Sequence, residues 1–190
     1  MKRSLGAQTL AYPLPTWIVA TYDRDGRPNA MTVAWGGICC SIPPCVAVSL
    51  REATYSYHGL TERKAFTVNI PSEKQVVEAD YLGIASGRSV DKLAKAKLTA
   101  VPSSLVDAPC IEECPVVLEC KVIQTVKIGL HTQFIGEIVD VKAEEGVLGP
   151  GGLPDIEQIR PIVFSPHTHK YYAVGRYLAD AFSSGKAIGE

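Results

Sequence analysis

Hydroxyls, amides and single cations punctuate the first half of this chain, set between apolar stretches. The segment Asn29-Ala30-Met31-Thr32-Val33-Ala34-Trp35 combines small and polar residues with one large aromatic. Small side chains let main-chain N–H and C=O groups approach the edge of a planar ligand. Val46-Ala47-Val48-Ser49-Leu50-Arg51 follows, and then Thr54, Tyr55 and Ser56 at the start of a predicted helix. An arginine and hydroxyls at a helix N-terminus suit a phosphate, because unpaired N–H groups and the helix dipole favour an anion there. Phe66-Thr67-Val68-Asn69-Ile70 and Ser86-Gly87-Arg88-Ser89-Val90-Asp91-Lys92 complete the succession. Together these residues suit a ligand with a flat ring and an anionic tail.

Other chemistries lack their signatures. There is no G-x-x-x-x-G-K-[ST] for a P-loop and no G-x-G-x-x-G after a strand for a dinucleotide fold. Neither a G-x-S-x-G elbow nor an H-E-x-x-H pair is present. The six cysteines, Cys39, Cys40, Cys45, Cys110, Cys114 and Cys120, contain no C-x-x-C, so no metal is expected. They read as reduced, packed thiols. His167-Thr168-His169 has no nearby carboxylate or cysteine in sequence and reads as a surface loop.

The elements that must position these residues are mostly strands. Trp17 to Tyr22 and residues 27–35 flank Asp23-Arg24-Asp25-Gly26, a hairpin signal, and Gly36-Gly37 ends the return strand. Cys45 to Leu50 is a third strand, residues 52–63 a short helix and Ala65 to Ile70 a fourth strand. Ser72-Glu73-Lys74-Gln75 fits a capping box before a helix to about Ile84, and residues 91–97 form a short basic helix whose lysines belong on a solvated face. Strands follow at residues 115–126, 132–141, 161–164 and 171–174, then a helix to Phe182. Short strands joined by hairpins, with few helices, predict a mainly β fold, an antiparallel barrel.

With 190 residues and 46% hydrophobic content, the chain is expected to form one domain, 1–190, with its core over about 10–185. Lys plus Arg number 19 and Asp plus Glu 20, a balance that argues against nucleic-acid or membrane-surface partners. No apolar run is long enough for a signal peptide or spanning helix, so a cytoplasmic location is expected.

The order of N-A-M-T-V-A-W, V-S-L-R, F-T-V-N-I, S-G-R-S-V-D-K and Y-Y-A-V-G-R-Y-L resembles the flavin reductase-like, FMN-binding split-barrel family over residues 10–185. The resemblance implies a split β-barrel of Greek-key type, a homodimer, and one FMN per subunit near the interface. It places Asn29, Met31, Thr32 and Trp35 against the isoalloxazine ring or ribityl chain. Ser49, Arg51 and Ser56 then lie near the phosphate, with Lys92 as its cation. Asn69, Ser86 and Gly87 border the ribityl–phosphate region, His131 and Phe164 approach from the later half, and Leu50 and Tyr55 complete the set. Glu52 stands where many relatives have proline, which alters the loop before the helix. The implied activity is electron transfer through FMN, from a redox partner protein or NAD(P)H. An NAD(P)H-dependent flavin reductase and a non-redox flavin binder are the alternatives. The cofactor supplies the redox chemistry, and no residue is assigned as catalytic.

Overall fold

The Asp23–Gly26 turn joins β2 (Trp17–Tyr22) to β3 (Pro28–Val33), with Trp17 opposite Val33 and Tyr22 opposite Pro28. The Asp23 carboxylate closes this turn by accepting from the backbone N–H groups of Asp25 and Arg27 at 2.9 and 2.8 Å. Strand β2 is apolar without alternation because both its faces are covered. Val19 points into the main core, while Ile18 and Ala20 pack against a second layer of helices.

A computed structural model describes residues 1–189. After a short β1 (Leu14–Pro15) and the first hairpin come β4 (Gly36–Ser41), β5 (Pro44–Arg51), α1 (Tyr55–Arg63) and β6 (Ala65–Ile70). Then follow α2 (Val76–Ile84), α3 (Lys92–Ala96), β7 (Ala100–Pro102) and β8 (Pro109–Ile111). The long hairpin of β9 (Val116–Ile128) and β10 (His131–Ala143) precedes α4 (Ile156–Ile159), β11 (Ile162–Ser165) and β12 (Lys170–Ala173). Seven strands form one antiparallel sheet in the order β3-β2-β6-β9-β10-β5-β4, and β1, β11 and β12 form a small second sheet. The fold is the expected mainly β split barrel.

The split has a local cause. Consecutive strands β3 and β4 stand at opposite ends of the sheet order, so Ala34 and Trp35 cross an opening that no ladder closes. A bond from the Ser49 N–H to the Trp35 carbonyl, 2.8 Å, ties this crossing to β5. Inside, Phe66, Phe134, Val48 and Leu50 are fully buried. Gly136 makes the close approach possible, since a Cβ there would lie 2.6 Å from Phe66 Cζ.

A buried carboxylate sits on the sheet face under the β7–β8 flap. The Glu119 side chain has no exposed surface, and its Oε1 accepts from Lys142 Nζ at 2.9 Å. The Cys110 thiol also lies against Oε1, 3.6 Å away. Burial raises the Glu119 carboxyl, but the neighbouring Ser103 hydroxyl and the Lys142 ammonium outweigh it and hold it below the usual value. Burial pushes the Cys110 thiol up to about 11 and the Cys114 and Cys120 thiols to about 12, so these thiols stay protonated at neutral pH.

Several expectations need correction. Gly36 and Gly37 do not end the second strand; β3 stops at Val33, and the glycines open β4. The β1, β7 and β8 strands are too short to carry a pattern of their own. The capping box at Ser72 and Gln75 is present, but it starts a 3-10 turn, Glu73–Gln75, before α2. The expected helix to Phe182 does not form. The chain beyond Ala173 is irregular, turning at residues 181–183 before a 3-10 turn at Ser184–Ile188, and every residue of 174–189 is exposed. A helix needs a surface to pack on, and this segment has none within its own chain.

Candidate functional site

The opening between β3 and β5 forms the first of two adjoining chambers. Its volume is about 230 Å³, and Thr32, Trp35, Leu50, Arg51, His131 and Phe164 are among its lining residues. The ends of β3 and β5 supply one wall, because neither strand is paired with the other there. The small sheet supplies the lid, with Phe164 and Tyr171 paired across β11 and β12. Trp35 and His131 lie with ring planes 5° apart and centroids 6.2 Å apart, and Trp35 is 41% exposed. Aromatic faces, main-chain edges and an exposed mouth suit a flat conjugated ring.

The second chamber, about 220 Å³, is lined by Met31, Thr54, Tyr55, Ser56, Ser86, Gly87 and Lys92 among others. Met31 and Thr54 line both chambers, so the two adjoin. End to end they fall within the roughly 300–1,000 Å³ typical of small-molecule sites. Helix α1 begins here with a free N-terminus: its N-cap, Thr54, makes no side-chain cap, and the first turn holds no acidic residue. The Thr54 hydroxyl instead donates to the Arg51 carbonyl at 2.8 Å. By contrast, α3 and α4 are capped by Asp91 and Asp155. The Asn29 amide donates to Ser56 Oγ at 2.7 Å, fixing that hydroxyl at the mouth of the helix. Gly87 completes the wall at van der Waals contact, since a Cβ there would stand 2.5 Å from Tyr55 Cδ1.

Lys92 gives this chamber its charge. It is only 5% exposed, so the basic segment 91–97 does not keep all its lysines on a solvated face. Its Nζ donates to the Leu82 carbonyl at 3.0 Å and pairs with no carboxylate among the described residues. Burial pushes the ammonium down to about 8. A buried cation without a counter-ion is costly unless something anionic joins it. Beside it the Tyr55 hydroxyl donates to Asp23 Oδ2 at 2.8 Å, which keeps that ring as a side wall.

The expected site residues divide into three sets. Met31, Thr32, Trp35, Ser49, Leu50, Arg51, His131 and Phe164 line the ring-shaped chamber. Tyr55, Ser56, Ser86, Gly87 and Lys92 line the second, cationic chamber, with Asn29 behind Ser56. Ser49 and Arg51 therefore sit with the ring chamber rather than beside Lys92. Asn69 lines neither: it is fully buried, donates to the Ile18 carbonyl and Thr67 Oγ1, and accepts from the Ile111 N–H at 2.7 Å. It pins the β7–β8 flap to the sheet. Thr16, Tyr171, Leu82 and Gly83 line the chambers unforeseen. Nothing in their local pattern separates them from ordinary strand and helix residues.

Comparison with known proteins agrees with this geometry. Residues 9–171 match the model of the flavin reductase like domain. The structure of flavoredoxin from Desulfovibrio vulgaris (Miyazaki F) is 57% identical with a TM-score of 0.93, covering 97% of this chain and 100% of that one. Flavoredoxin from Methanosarcina acetivorans is 30% identical with a TM-score of 0.89, covering 99% and 98%. A more distant relative is the reductase component of a 4-nitrophenol 4-monooxygenase/4-nitrocatechol 2-monooxygenase of Rhodococcus opacus, 26% identical over 128 residues, 67% of this chain and 65% of that one. The chain thus belongs to the flavin reductase-like family, as a flavoredoxin-like electron-transfer flavoprotein.

Proposed function

We propose that this protein is an FMN-dependent electron carrier whose flavin is held by its phosphate as much as by its ring. The carrying observation is Lys92, a buried ammonium with no carboxylate partner among the described residues, at the free N-terminus of α1. The residues present fit FMN in both halves. Lys92, Ser56 and the first N–H groups of α1 would hold the phosphate, with charge-assisted bonds from the ammonium. Trp35, His131 and Phe164 would border the ring, while main-chain groups of the 31–35 segment meet its polar edge. When bound, FMN supplies the electron transfer. The chain itself orients the ring, covers it with the β11–β12 lid and leaves an open mouth at Trp35.

That mouth favours delivery of electrons by a partner that comes up to the ring. A protein donor is the first reading; NAD(P)H, with the chain acting as a flavin reductase, is the second. The second gains support from the likeness to a monooxygenase reductase component. The assembly we propose is a homodimer in the cytoplasm. No helix among the described residues is long and apolar enough to cross a membrane.

The test is a binding titration of the flavin-free protein with FMN and riboflavin, followed by reduction assays. We expect one FMN per chain and riboflavin binding at least 100-fold weaker, as loss of a charge-assisted phosphate cradle implies. Equal affinity for the two flavins would remove the phosphate from the Lys92 chamber. Steady oxidation of NADH with free FMN would replace the carrier reading with the reductase one.

A further inference from the structure

The surface of the chain is too large for a molecule that works alone. It exposes 11707 Å², where a compact monomer of its 20.4 kDa exposes roughly 8,800 Å². The surplus of about 2,900 Å² exceeds the ~800 Å² that each partner hides in a standard stable interface. One segment is exposed from end to end. Residues 174–189 are all exposed, and they carry Val174, Tyr177, Leu178, Phe182 and Ile188, with Phe182 at 101%. Residues 1–9 share the exposure but hold only Met1 and Leu5 as large apolar groups.

The C-terminal segment nevertheless has a defined shape. The Tyr177 hydroxyl donates to Asp180 Oδ1 at 2.9 Å, the Ser184 N–H to the Asp180 carbonyl at 3.2 Å and the Lys186 N–H to the Ser183 carbonyl at 3.0 Å. These bonds stay within the segment. An apolar strip that is exposed along its whole length and whose hydrogen bonds, among the described residues, all stay within itself is an arm shaped for another surface.

A matching surface lies on the long hairpin. β6 pairs with β9 as far as Lys121, and the Val122 N–H still donates to the Lys64 carbonyl at 2.8 Å, so the outer edge of β9 from Ile123 to Ile128 has no strand beside it among the described residues. Ile123, Ile128 and Leu130 are exposed there. A chain that presents both an apolar arm and an apolar unpaired edge is self-complementary, and two copies satisfy both at once about a two-fold axis.

We propose that residues 174–189 are an exchanged arm, laid along the distal β9–β10 hairpin of a second copy, so that two arms clasp a dimer. This rests on the homodimer proposed above and adds its mechanism. The arm leaves β12 just beyond Tyr171, and the hairpin carries His131; both residues line the ring chamber. The clasp therefore sets each flavin site beside the interface.

Sedimentation equilibrium and light scattering test this on the flavin-loaded full-length protein. The comparison proteins are Leu178→Glu/Phe182→Glu, Ile123→Glu/Ile128→Glu and a chain ending at Ala173, with circular dichroism to confirm folding. The full chain is expected to be dimeric at micromolar concentration, and each variant to weaken association at least 100-fold while staying folded. The two point-substituted proteins alter exposed positions only, so they report even where the shortened chain fails to fold. A monomeric full-length protein would overturn both the assembly and the clasp. A dimer untouched by the arm substitutions would overturn the clasp alone. One that tolerates the hairpin pair would overturn that docking edge. The yellow colour of bound flavin is an independent readout of the flavin proposal.

Discussion

Two buried charges in this molecule have opposite surroundings. Glu119, under the β7–β8 flap, is paired with Lys142 at 2.9 Å and lies against the Cys110 thiol. Lys92, at the rim of the second chamber, has only the Leu82 carbonyl among the described residues. A paired buried charge holds a structure in one arrangement, whereas an unpaired one leaves interaction energy for whatever fills the space next to it. By this contrast the flap is architecture and the α1–α3 junction is the binding site proposed above. Ion-pair partners, more than burial alone, tell the two apart.

The contrast is sharpest where the same kind of substitution is made in each region. Lys92→Met is expected to weaken FMN about 100-fold, equivalent to about 2.7 kcal/mol, and to leave riboflavin within about threefold. Fluorescence quenching of both flavins measures this, and equal losses would mean that Lys92 acts through the fold instead. Lys142→Met leaves the Glu119 carboxylate buried without its cation. Breaking such a pair typically costs 3–5 kcal/mol, but Lys142 has 47% of its side chain exposed, and water recovers part of that. A loss of about 2 kcal/mol in urea unfolding, with FMN affinity unchanged, is the expected result. A neutral Lys142→Met would make the Glu119 pair no different from a surface one.

The sign reverses for the flavin-free protein. Because Lys92 has no counter-ion, Lys92→Met removes a desolvated charge and should stabilise the free chain by about 1 kcal/mol. One substitution thus strengthens the fold and weakens the ligand, as a stability–function trade-off predicts. If Lys92→Met destabilised the free protein, the Leu82 hydrogen bond would outweigh the burial of the charge.

How far this was legible in the sequence follows from the range of the interactions involved. The Asp23–Gly26 hairpin, the β5 and β6 strands and the Asn29–Trp35 and Ser86–Lys92 segments are local patterns, readable from residue order. The split itself is not local: β4 hides behind Gly36-Gly37, and only its pairing with β5 makes it a strand. Lys92 read as one of three lysines on a short helix, and only the packing of α3 against α2 and β3 turns it inward. Asn69 lines neither chamber for the complementary reason. A buried amide in a strand serves a flap as readily as a cofactor, and its partner, Ile111, lies 42 residues away. The C-terminal arm has helical composition, but composition cannot show that its packing surface is missing from its own chain.

The finest test of the contrast is its pH dependence. In the free protein burial lowers Lys92 to about 8 from the ordinary 10.5, and a phosphate beside it restores the ammonium. The unfolded chain keeps that proton up to its ordinary pKa, so free-protein stability should rise between pH 8 and 10.5. FMN binding should change in the opposite sense. The groups around Lys92 do not share this window: Asp23 is held below the usual carboxylate range despite its partial burial, and Tyr55 is raised by its bond to Asp23. Arg27 and Arg88 line the neighbouring cavity with them. FMN affinity is therefore expected to fall as pH rises past 8, by up to about tenfold per unit, while riboflavin stays level. At the acid end it weakens again below about pH 6, where the phosphate monoester takes up its second proton. Calorimetry at pH 8.5 in two buffers of different ionisation enthalpy should register uptake of a proton with FMN and none with riboflavin. Lys92→Met should abolish both the uptake and the alkaline fall. Parallel pH profiles for the two flavins would show that the ammonium does not meet the phosphate, and the contrast between Lys92 and Glu119 would reduce to one of depth.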